Sequence, residues 1–170
     1  AREMENMALI RTLGVDTAED GVQVTASSAR QRQGDGETAA LVLSGSARTV
    51  SAACLTMQTY GTAYVFYGHV SQLLLGEDMA RQGLREVLDY VERDLEMRLE
   101  TELFVVREAT AEEAIFAASD SGSASERLEA IRDDGGFAAS ASTRTIRDVL
   151  SDLYSNGASY APGLELIPGR

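Results

Sequence analysis

Apolar and polar residues alternate with a period of two in the first third of the chain, which is the pattern of half-buried β-strands. Residues 9–16 (LIRTLGVD) alternate with Arg11 as the one exception on the apolar face, and residues 22–25 (VQVT) alternate after a turn signal at 19–21. A third short apolar strand is predicted over 38–43. The first two strands are therefore expected to form a hairpin.

Three later segments carry apolar residues every three or four positions, the period of an amphipathic helix. Their apolar positions are Val50, Ala53, Cys54 and Met57 in the first, Leu84, Val87, Leu88 and Val91 in a long helix starting at Asp78, and Ile146, Val149, Leu150 and Leu153 in the last. Ser46 and Thr49 are alternative N-caps of the first helix, and Gly61 ends it. In the long helix, Arg85 and Asp89 are expected to form an i, i+4 pair on the exposed side.

Capping and turn residues mark further helix ends. Thr110 with Glu113, and Ser123 with Glu126, have the spacing of the capping box, in which hydroxyl and carboxylate each accept a bond from the other residue's backbone N–H. Asn156-Gly157 is a C-cap pair. The remaining predicted elements are a short helix over 1–8, buried strands over 64–66, 70–75 and 103–106, a closing strand over 164–167, and loops over 30–36, 119–123 and 133–136.

Strands and helices alternate along the 170 residues, and no linker separates the chain into two halves. With 44% hydrophobic residues the chain can bury a core of its own. The sequence therefore predicts a single domain over 1–170 of the α/β (α+β) class, with a mixed central β-sheet and helices packed on it.

The charge balance excludes several classes of function. The chain has 27 Asp and Glu against 15 basic residues, which gives a net charge of -12. This argues against binding nucleic acid and against direct docking on anionic lipid, because both need a basic surface. The single cysteine excludes an intrachain disulfide and a zinc site built from several cysteines. No apolar run approaches the ~20 residues that span a membrane.

No residue pattern indicates an active site, a metal site or a cofactor. Cys54 lies on an apolar helix face and is interpreted as a buried, inert thiol. His69 is interpreted as a structural histidine, since no catalytic partner motif accompanies it. Asp133-Asp134 lacks the alternating oxygen ligands of a calcium loop, and the acids of 92–102 are interleaved with arginines as on an ordinary charged surface. The G-x-S-x-G, P-loop and H-E-x-x-H patterns are missing.

Several segments, in order, resemble the C-subunit family of spore-germination receptors, the Ger(x)C lipoproteins. Residues 1–16 (AREMENMALIRTLGVD) are similar to the family's opening helix, which runs into A-L-G-I-D, and residues 45–53 (GSARTVSAA) to its G-x-T-x-x-x-A helix start. The most specific stretch is 67–98, which resembles the family's Y-G-H, buried strand, G-E-x-x-A-R-x-G, V-L-D and R-D-P-E-[IL]-R. Residues 142–157 resemble a helix near the end of the family's first domain. Leu95 departs from the pattern by standing where the family has proline.

The resemblance implies a non-catalytic lipoprotein subunit of a nutrient germinant receptor, which takes part in spore germination through assembly or signal relay. It implies two partners, the A and B subunits of the receptor. It also implies attachment to the spore inner membrane, outside the cytoplasm, through a lipid such as palmitate on a cysteine upstream of Ala1. The chain would be the N-terminal domain, with the family's downstream domains absent from it. The alternative is an extracellular small-molecule-binding module with a cleft beside the strand over 70–75.

Six positions in the most specific stretch are candidate interaction residues. They are Gly68, His69, Gly76, Asp89, Arg93 and Arg98. The alternative interpretation is structural: the two glycines serve tight turns, and Asp89, Arg93 and Arg98 form an ion network within the domain.

Overall fold

The computed structural model describes residues 7–32, 38–60, 64–119, 123–129, 137–139 and 142–166. Within these ranges the chain forms nine strands and six helices, whose bounds follow in chain order. They are β1 (Met7–Ala18), β2 (Gly21–Arg32), β3 (Thr38–Ala47), α1 (Val50–Tyr60), β4 (Tyr64–Phe66), β5 (Gln72–Gly76), α2 (Glu77–Gln82), α3 (Leu84–Arg93), β6 (Glu102–Val106), α4 (Ala111–Ser119), α5 (Ala124–Glu129), β7 (Phe137–Ala139), β8 (Arg144–Thr145), α6 (Ile146–Asn156) and β9 (Gly163–Leu166).

The strands form one mixed sheet in the order β3-β2-β1-β5-β6-β9-β7, with β4 paired to β1 and β8 paired to β6. The central strands β1, β5, β6 and β9 run parallel. β2 and β3 continue the sheet as antiparallel strands on one side, and β7 is antiparallel to β9 on the other. The predicted class, a mixed sheet with helices packed on it, is confirmed.

Helices cover both faces of the sheet. On one face α1, α3 and α6 pack over Leu13, Leu73 and Leu103, which stand side by side in the register of the three central strands. On the other face α4 and α5 pack over Leu74 and Phe104. Because successive strand residues point to opposite faces, a strand covered on both sides must be apolar throughout. This explains why the predicted strand over 70–75 contains three consecutive leucines, Leu73, Leu74 and Leu75, instead of an alternating pattern.

Two boundaries predicted for the first hairpin are wrong. Met7 and Ala8 belong to β1 rather than to a helix, because 7–9 pairs in parallel with β4. Residues 30–32 continue β2 rather than forming a loop, because they pair with the start of β3. Both corrections come from long-range pairing, which lengthens a strand beyond its own alternating pattern. Residues 1–6 and 33–36 lie outside the described residues.

Of the two alternative caps of α1, the structure selects Thr49. Its side-chain oxygen accepts a hydrogen bond from the backbone N–H of Ala52 at 3.1 Å. Ser46 lies in β3, which runs to Ala47 instead of ending at residue 43. The predicted helix end at Gly61 lies outside the described residues.

The long helix predicted from Asp78 is two helices, α2 and α3, separated by Gly83. Gly83 has φ 143°, which no helical residue adopts, so the backbone turns there. The predicted pairing of Arg85 with Asp89 is also wrong. The Arg85 guanidinium donates to the Leu153 carbonyl at 2.9 Å, and the Tyr154 hydroxyl donates to Asp89 at 3.4 Å. Both side chains therefore face α6 instead of each other.

The helix ends predicted for the last third of the chain are largely confirmed. Thr110 and Glu113 form the capping box, and the Ser123 hydroxyl accepts from the Glu126 N–H at 3.1 Å. Gly157, with φ 74°, ends α6. Ser119 belongs to α4 and not to the predicted loop. Residues 120–122, 133–136 and 167 lie outside the described residues, and β7 and β8 were not predicted.

One half-buried arginine ties the segment after α6 back to the sheet. Arg144, in β8, has a side chain that is only 15% exposed. Its guanidinium contacts the Asp152 carboxylate at 2.7 Å, the Ser159 hydroxyl at 3.2 Å and the Tyr160 carbonyl at 3.1 Å, and it lies 4.2 Å from the centre of the Tyr160 ring. The hydrogen bond from Arg144 lowers the pKa of the Asp152 carboxyl, and the hydrogen bond from the Ser159 hydroxyl lowers it further by a smaller amount. Three contacts at fixed angles require a planar fork, which lysine does not have.

We expect Arg144→Lys to lower the melting temperature by about 2–4 °C, because the charge remains while the fork and the ring contact are lost. Arg81→Lys is the matched control. Arg81 is 70% exposed and bonds to Glu77 and Asp78 within the same helix, so its change should move the melting temperature by less than about 1 °C. Circular dichroism melts measure both, and equal shifts for the two variants would contradict a bracing role for Arg144.

Candidate functional site

The main candidate site is a pocket at the carboxyl ends of the parallel strands β1, β5 and β6. Open sheets of this kind bind ligands in the crevice outside the carboxyl ends of their strands. The pocket has a volume of about 380 Å³. It is lined by Asp16, Thr17, Gly76, Glu77, Asp78, Met79, Arg81, Glu108, Ala109 and Thr110, and we call it the carboxyl-edge pocket.

Asp16 is the most buried charged group of this pocket, with 6% of its surface exposed. Its two carboxylate oxygens accept the backbone N–H groups of Ala111 at 2.8 Å and of Glu112 at 2.9 Å. These are donors of the first turn of α4, which have no partner within the helix. The Thr110 hydroxyl accepts the next donor, Glu113 N–H, at 3.0 Å. The positive end of α4 is therefore neutralised by a carboxylate from a strand 95 positions away.

Two glycines make room for this contact. A Cβ at Gly14 would lie 2.8 Å from Ile115 Cδ1 and 3.0 Å from Ala111 Cβ, so glycine lets α4 approach β1. A Cβ at Gly76 would lie 2.3 Å from Asp16 Oδ1, the oxygen that binds Ala111. The carboxylate thus fits because the neighbouring strand carries no side chain at its last residue.

The remaining charges of the pocket bind mainly to one another. Arg81 contacts Glu77 at 3.1 Å and Asp78 at 2.9 Å. Glu77 also accepts the backbone N–H of Glu108 at 2.8 Å. Glu108 has φ 58°, a left-handed conformation that is uncommon for a residue with a side chain. Four acids and one arginine leave the pocket with an excess of negative charge.

Burial raises the pKa of the Asp16 carboxyl, and the charges of Glu112 and Glu113 add to this effect. The backbone N–H groups of Ala111 and Glu112 oppose it. The net shift is upward, so the folded protein holds the Asp16 proton more tightly than the unfolded chain does.

The carboxyl-edge pocket contains one of the six predicted interaction residues, Gly76. Gly68 and His69 form the turn between β4 and β5, where His69 is exposed. Gly76 is buried at the end of β5 and serves close packing instead of a turn. The alternative that these glycines are structural is therefore supported by their positions, while an interaction role stays a prediction.

The three predicted charged residues do not meet in a single network. Asp89 lies beside Tyr154 on α6, while Arg93 Nε lies 3.5 Å from the Asp94 carboxylate. Arg98 is exposed in the segment before β6. The pKa of Glu100 is lowered mainly by Arg147, with a smaller contribution from Arg98. Arg93 and Arg98 are exposed and Asp89 is half-buried, and an interaction role for the three residues stays a prediction.

Cys54 is a core residue, as predicted. It is 6% exposed on α1, and burial raises the pKa of its thiol, which keeps it protonated and unreactive. The Tyr67 hydroxyl lies beside the Cys54 thiol, and burial also raises the pKa of Tyr67.

In the part of the chain that the structure describes, no three His, Cys, Asp or Glu residues are grouped so that they could hold a metal ion. No helix among those residues has the length and apolar character to span a bilayer.

Asp16 is the residue that sequence reasoning missed as a member of the site. The alternation of residues 9–16 puts Asp16 on the face opposite Leu13 and Val15, which reads as the exposed face of a half-buried strand. In the structure α4 and α5 cover that face, so the buried charge requires a partner. The partner could not be identified from the sequence, because it is the backbone of a distant helix.

The sequence was compared with known proteins. Residues 1–166 match a family model described as "Spore germination protein N-terminal domain". That match includes every residue of the carboxyl-edge pocket and all six predicted interaction residues. Neither the curated proteins nor the solved structures contain a match.

Proposed function

Since the chain belongs to the family of spore germination protein N-terminal domains, we propose that it is the first domain of a germinant-receptor C subunit. In this proposal the domain has no catalytic role and acts through assembly or signal relay. The family match over nearly the whole chain is the observation that carries the proposal. The ordered resemblance of residues 67–98 to the Ger(x)C pattern supports it.

The chemistry of the carboxyl-edge pocket favours a structural role over catalysis. The Asp16 carboxylate is bound by two backbone N–H groups, and Arg81 is bound by two carboxylates. Groups held in this way are poorly placed to move a proton or attack a substrate. His69 and Cys54, the single histidine and cysteine, are not among the residues that line the pocket.

The proposed partners are the A and B subunits of the receptor. We place the domain at the spore inner membrane, outside the cytoplasm, held by a lipid on a cysteine upstream of Ala1. An anchor of this kind would suit an acidic surface, because a chain with a net charge of -12 is repelled by anionic headgroups and needs a tether.

Deletion of the gene in the spore-forming host tests the proposal. We expect nutrient-triggered germination to slow at least tenfold and to recover when the full-length gene is returned. Membrane fractionation and labelling with radioactive palmitate then test the anchor. The label should be lost when the upstream cysteine is replaced by alanine. Normal germination without the gene, or an unlabelled protein in the soluble fraction, would contradict the assignment.

The carboxyl-edge pocket favours small-molecule binding as the second candidate function. It lies where β5 ends, and its excess of acids favours a positively charged molecule such as an amine. Such a ligand would bind Asp78 and Glu108 at the rim, since Asp16 is already bonded to α4.

Thermal-shift screening of amino acids, amines, sugars and nucleosides measures this directly. We expect a binder present at 100 times its dissociation constant to stabilise the fold by about 2.7 kcal/mol, which raises the melting temperature by several degrees. Asp78→Asn should reduce the shift, because Asp78 is 74% exposed and its loss removes one pocket charge. A panel without any such rise would leave the receptor-subunit role as the better account.

A further inference from the structure

A second pocket lies at the carboxyl end of β6, between the start of α3 and the segment that leads into β9. Its volume is about 320 Å³. Ligand pockets measure roughly 300–1,000 Å³, so a pocket of this size suits a small molecule. The residues that line it include Glu77, Leu84, Val105, Arg107, Tyr160 and Ala161, and we call it the β6 pocket.

The floor of the β6 pocket is a part of the sheet that the helices leave partly uncovered. Val15, Leu75 and Val105 stand side by side in the register of β1, β5 and β6. Val15 and Leu75 are fully buried, whereas Val105 is only half-buried. The neighbouring Leu84 and Ala161 are half-buried as well. Apolar surface is therefore left at the floor of the pocket, and a ligand that covers it is bound more tightly.

Tyr160 gives the pocket an aromatic wall that is held in place by the protein itself. The Arg144 guanidinium lies 4.2 Å from the centre of the Tyr160 ring and donates to the Tyr160 carbonyl at 3.1 Å. Tyr160 nevertheless remains 60% exposed. A ring fixed in this way can contact an apolar ligand without a large further loss of side-chain entropy.

Arg107 lies on the same face of the sheet as this floor. The Val105 N–H donates to the Pro162 carbonyl at 3.0 Å. The Arg107 N–H donates to the Leu164 carbonyl at 2.9 Å, so the pairing with β9 continues in step through Arg107. Residues two apart in a strand point to the same face, which places the exposed Arg107 side chain beside Val105.

The charge of Arg107 lacks a counter-ion. Although the chain has 27 Asp and Glu, none of them forms an ion pair with Arg107 within the described residues. Glu77, the acid among the lining residues, is already bonded: one oxygen lies 3.1 Å from the Arg81 guanidinium, and the other accepts the Glu108 N–H at 2.8 Å. The β6 pocket therefore favours an anion, in contrast to the carboxyl-edge pocket with its excess of acids.

A single guanidinium matches a carboxylate better than a phosphate. Its planar fork donates two parallel hydrogen bonds to the two oxygens of a carboxylate. A phosphate dianion would bring two negative charges to one arginine in a chain whose net charge is -12. The half-buried floor and the Tyr160 ring require that the rest of the ligand be apolar.

We propose that the β6 pocket binds a small monocarboxylate with a branched or cyclic apolar body. Arg107 binds the carboxylate, and the apolar body covers Val105 and Leu84 and lies against the Tyr160 ring. Among the described residues, the β6 pocket and the carboxyl-edge pocket share Glu77 alone. The site takes a ligand of the opposite charge to an amine, and its existence does not depend on the receptor role.

Titration of the ¹⁵N-labelled 170-residue chain with 4-methylpentanoate, followed by amide correlation spectra, tests the proposal. We expect a dissociation constant of about 0.1–3 mM, as suits a ligand with few atoms. The largest changes in chemical shift should fall on Arg107, Tyr160 and Ala161. The neutral amide of the same shape, 4-methylpentanamide, and inorganic phosphate should each bind at least about tenfold more weakly.

Variants of Arg107 separate the guanidinium from charge in general. Arg107→Gln should weaken binding of 4-methylpentanoate at least about tenfold, and Arg107→Lys, which keeps the charge without the fork, should be intermediate. Arg93→Gln is the matched control. Arg93 is 72% exposed at the opposite end of α3 from Leu84 and does not line the pocket, so this loss of charge should change the dissociation constant less than about twofold.

Four results would overturn the proposal: no saturable binding of 4-methylpentanoate below about 10 mM, equal binding of its amide, equal binding by Arg107→Gln, or shift changes centred on Thr17 and Gly76 of the carboxyl-edge pocket. Asp78→Asn, which alters that other pocket, should leave binding of 4-methylpentanoate unchanged. Failure of the β6 pocket to bind the acid therefore leaves the amine candidate and the receptor-subunit role to their own tests.

Discussion

Replacing Asp16 with alanine is expected to lower the free energy of unfolding by about 2–4 kcal/mol. The change removes the acceptor of two backbone N–H groups, those of Ala111 and Glu112, at the start of α4. Ala111 is fully buried, so water cannot replace the lost partner without opening the contact between α4 and the sheet. Urea unfolding followed by circular dichroism measures the loss.

Two further variants separate the carboxylate from general effects of mutation. Asp16→Asn keeps the volume but offers a single acceptor oxygen and an NH₂ group, so it should be intermediate between wild type and Asp16→Ala. Asp20→Ala removes an exposed acid in the turn between β1 and β2 and should cost less than about 0.5 kcal/mol. If Asp16→Ala is no more costly than Asp20→Ala, Asp16 does not hold α4.

The upward shift in the pKa of Asp16 sets the sign of a pH dependence. The ordinary pKa of an aspartate is 3.8, and the pKa of Asp16 in the folded protein lies above it. At a pH between these two values the unfolded chain has lost the Asp16 proton while the folded protein keeps it. The stability that Asp16 contributes through this proton is therefore fully present below pH 3.8 and is lost as pH rises through the folded pKa. The stability difference between wild type and Asp16→Asn should accordingly shrink as pH rises from 3.8. A difference that grows over this range would show that the shift is downward.

The sheet was largely predictable because its strands carry their own signal. Residues 9–16 alternate, and Leu73, Leu74 and Leu75 are consecutive apolar residues because both faces of β5 are covered. The lengths of β1 and β2 were not predictable, since residues 7–8 and 30–32 become strand only by pairing with distant segments. Local periodicity contains no information about such pairing.

Helix ends were predicted wherever the partner is local. The Thr110 and Glu113 capping box and the Gly157 C-cap depend on neighbours within four residues, and both are present. Gly83 shows the opposite case. The apolar period continues across it, and only its φ of 143° reveals that the helix axis changes. The apolar period of a helix therefore predicts which face is buried more reliably than it predicts whether the helix is unbroken.

The candidate site was predictable only in part for the same reason. Gly76 was singled out from a family pattern without a mechanism, and its neighbour Asp16 was passed over. The contact that joins them to α4 spans 95 positions and uses backbone donors, which leave no trace in residue identity. The alternation of residues 9–16 places Gly14 and Asp16 opposite the apolar face, so the sequence pattern predicts exposure where the structure has α4.

Gly76→Ala gives the second large effect, and its size should depend on Asp16. The backbone of Gly76 has φ -65° and ψ 155°, which alanine adopts readily, so conformational strain is not the cause. The new Cβ would lie 2.3 Å from Asp16 Oδ1 and displace the oxygen that binds Ala111. We expect a loss of about 1–3 kcal/mol in the free energy of unfolding, the usual cost of overfilling a packed site.

A double-mutant cycle isolates this mechanism. In the Asp16→Ala background the obstructing oxygen is gone, and the Asp16 Cα, at 3.8 Å, is at an ordinary contact distance. Gly76→Ala should then cost less than about 0.5 kcal/mol, and the two mutations should be strongly non-additive. If the losses in free energy of unfolding of the two single variants simply add in the double variant, the contact with Asp16 is not the reason that glycine is required at position 76. If the proposed germinant-receptor role is scored with the same four chains, a germination defect that follows stability assigns Gly76 to the fold. A defect in a chain that remains stable assigns it to partner or ligand contact.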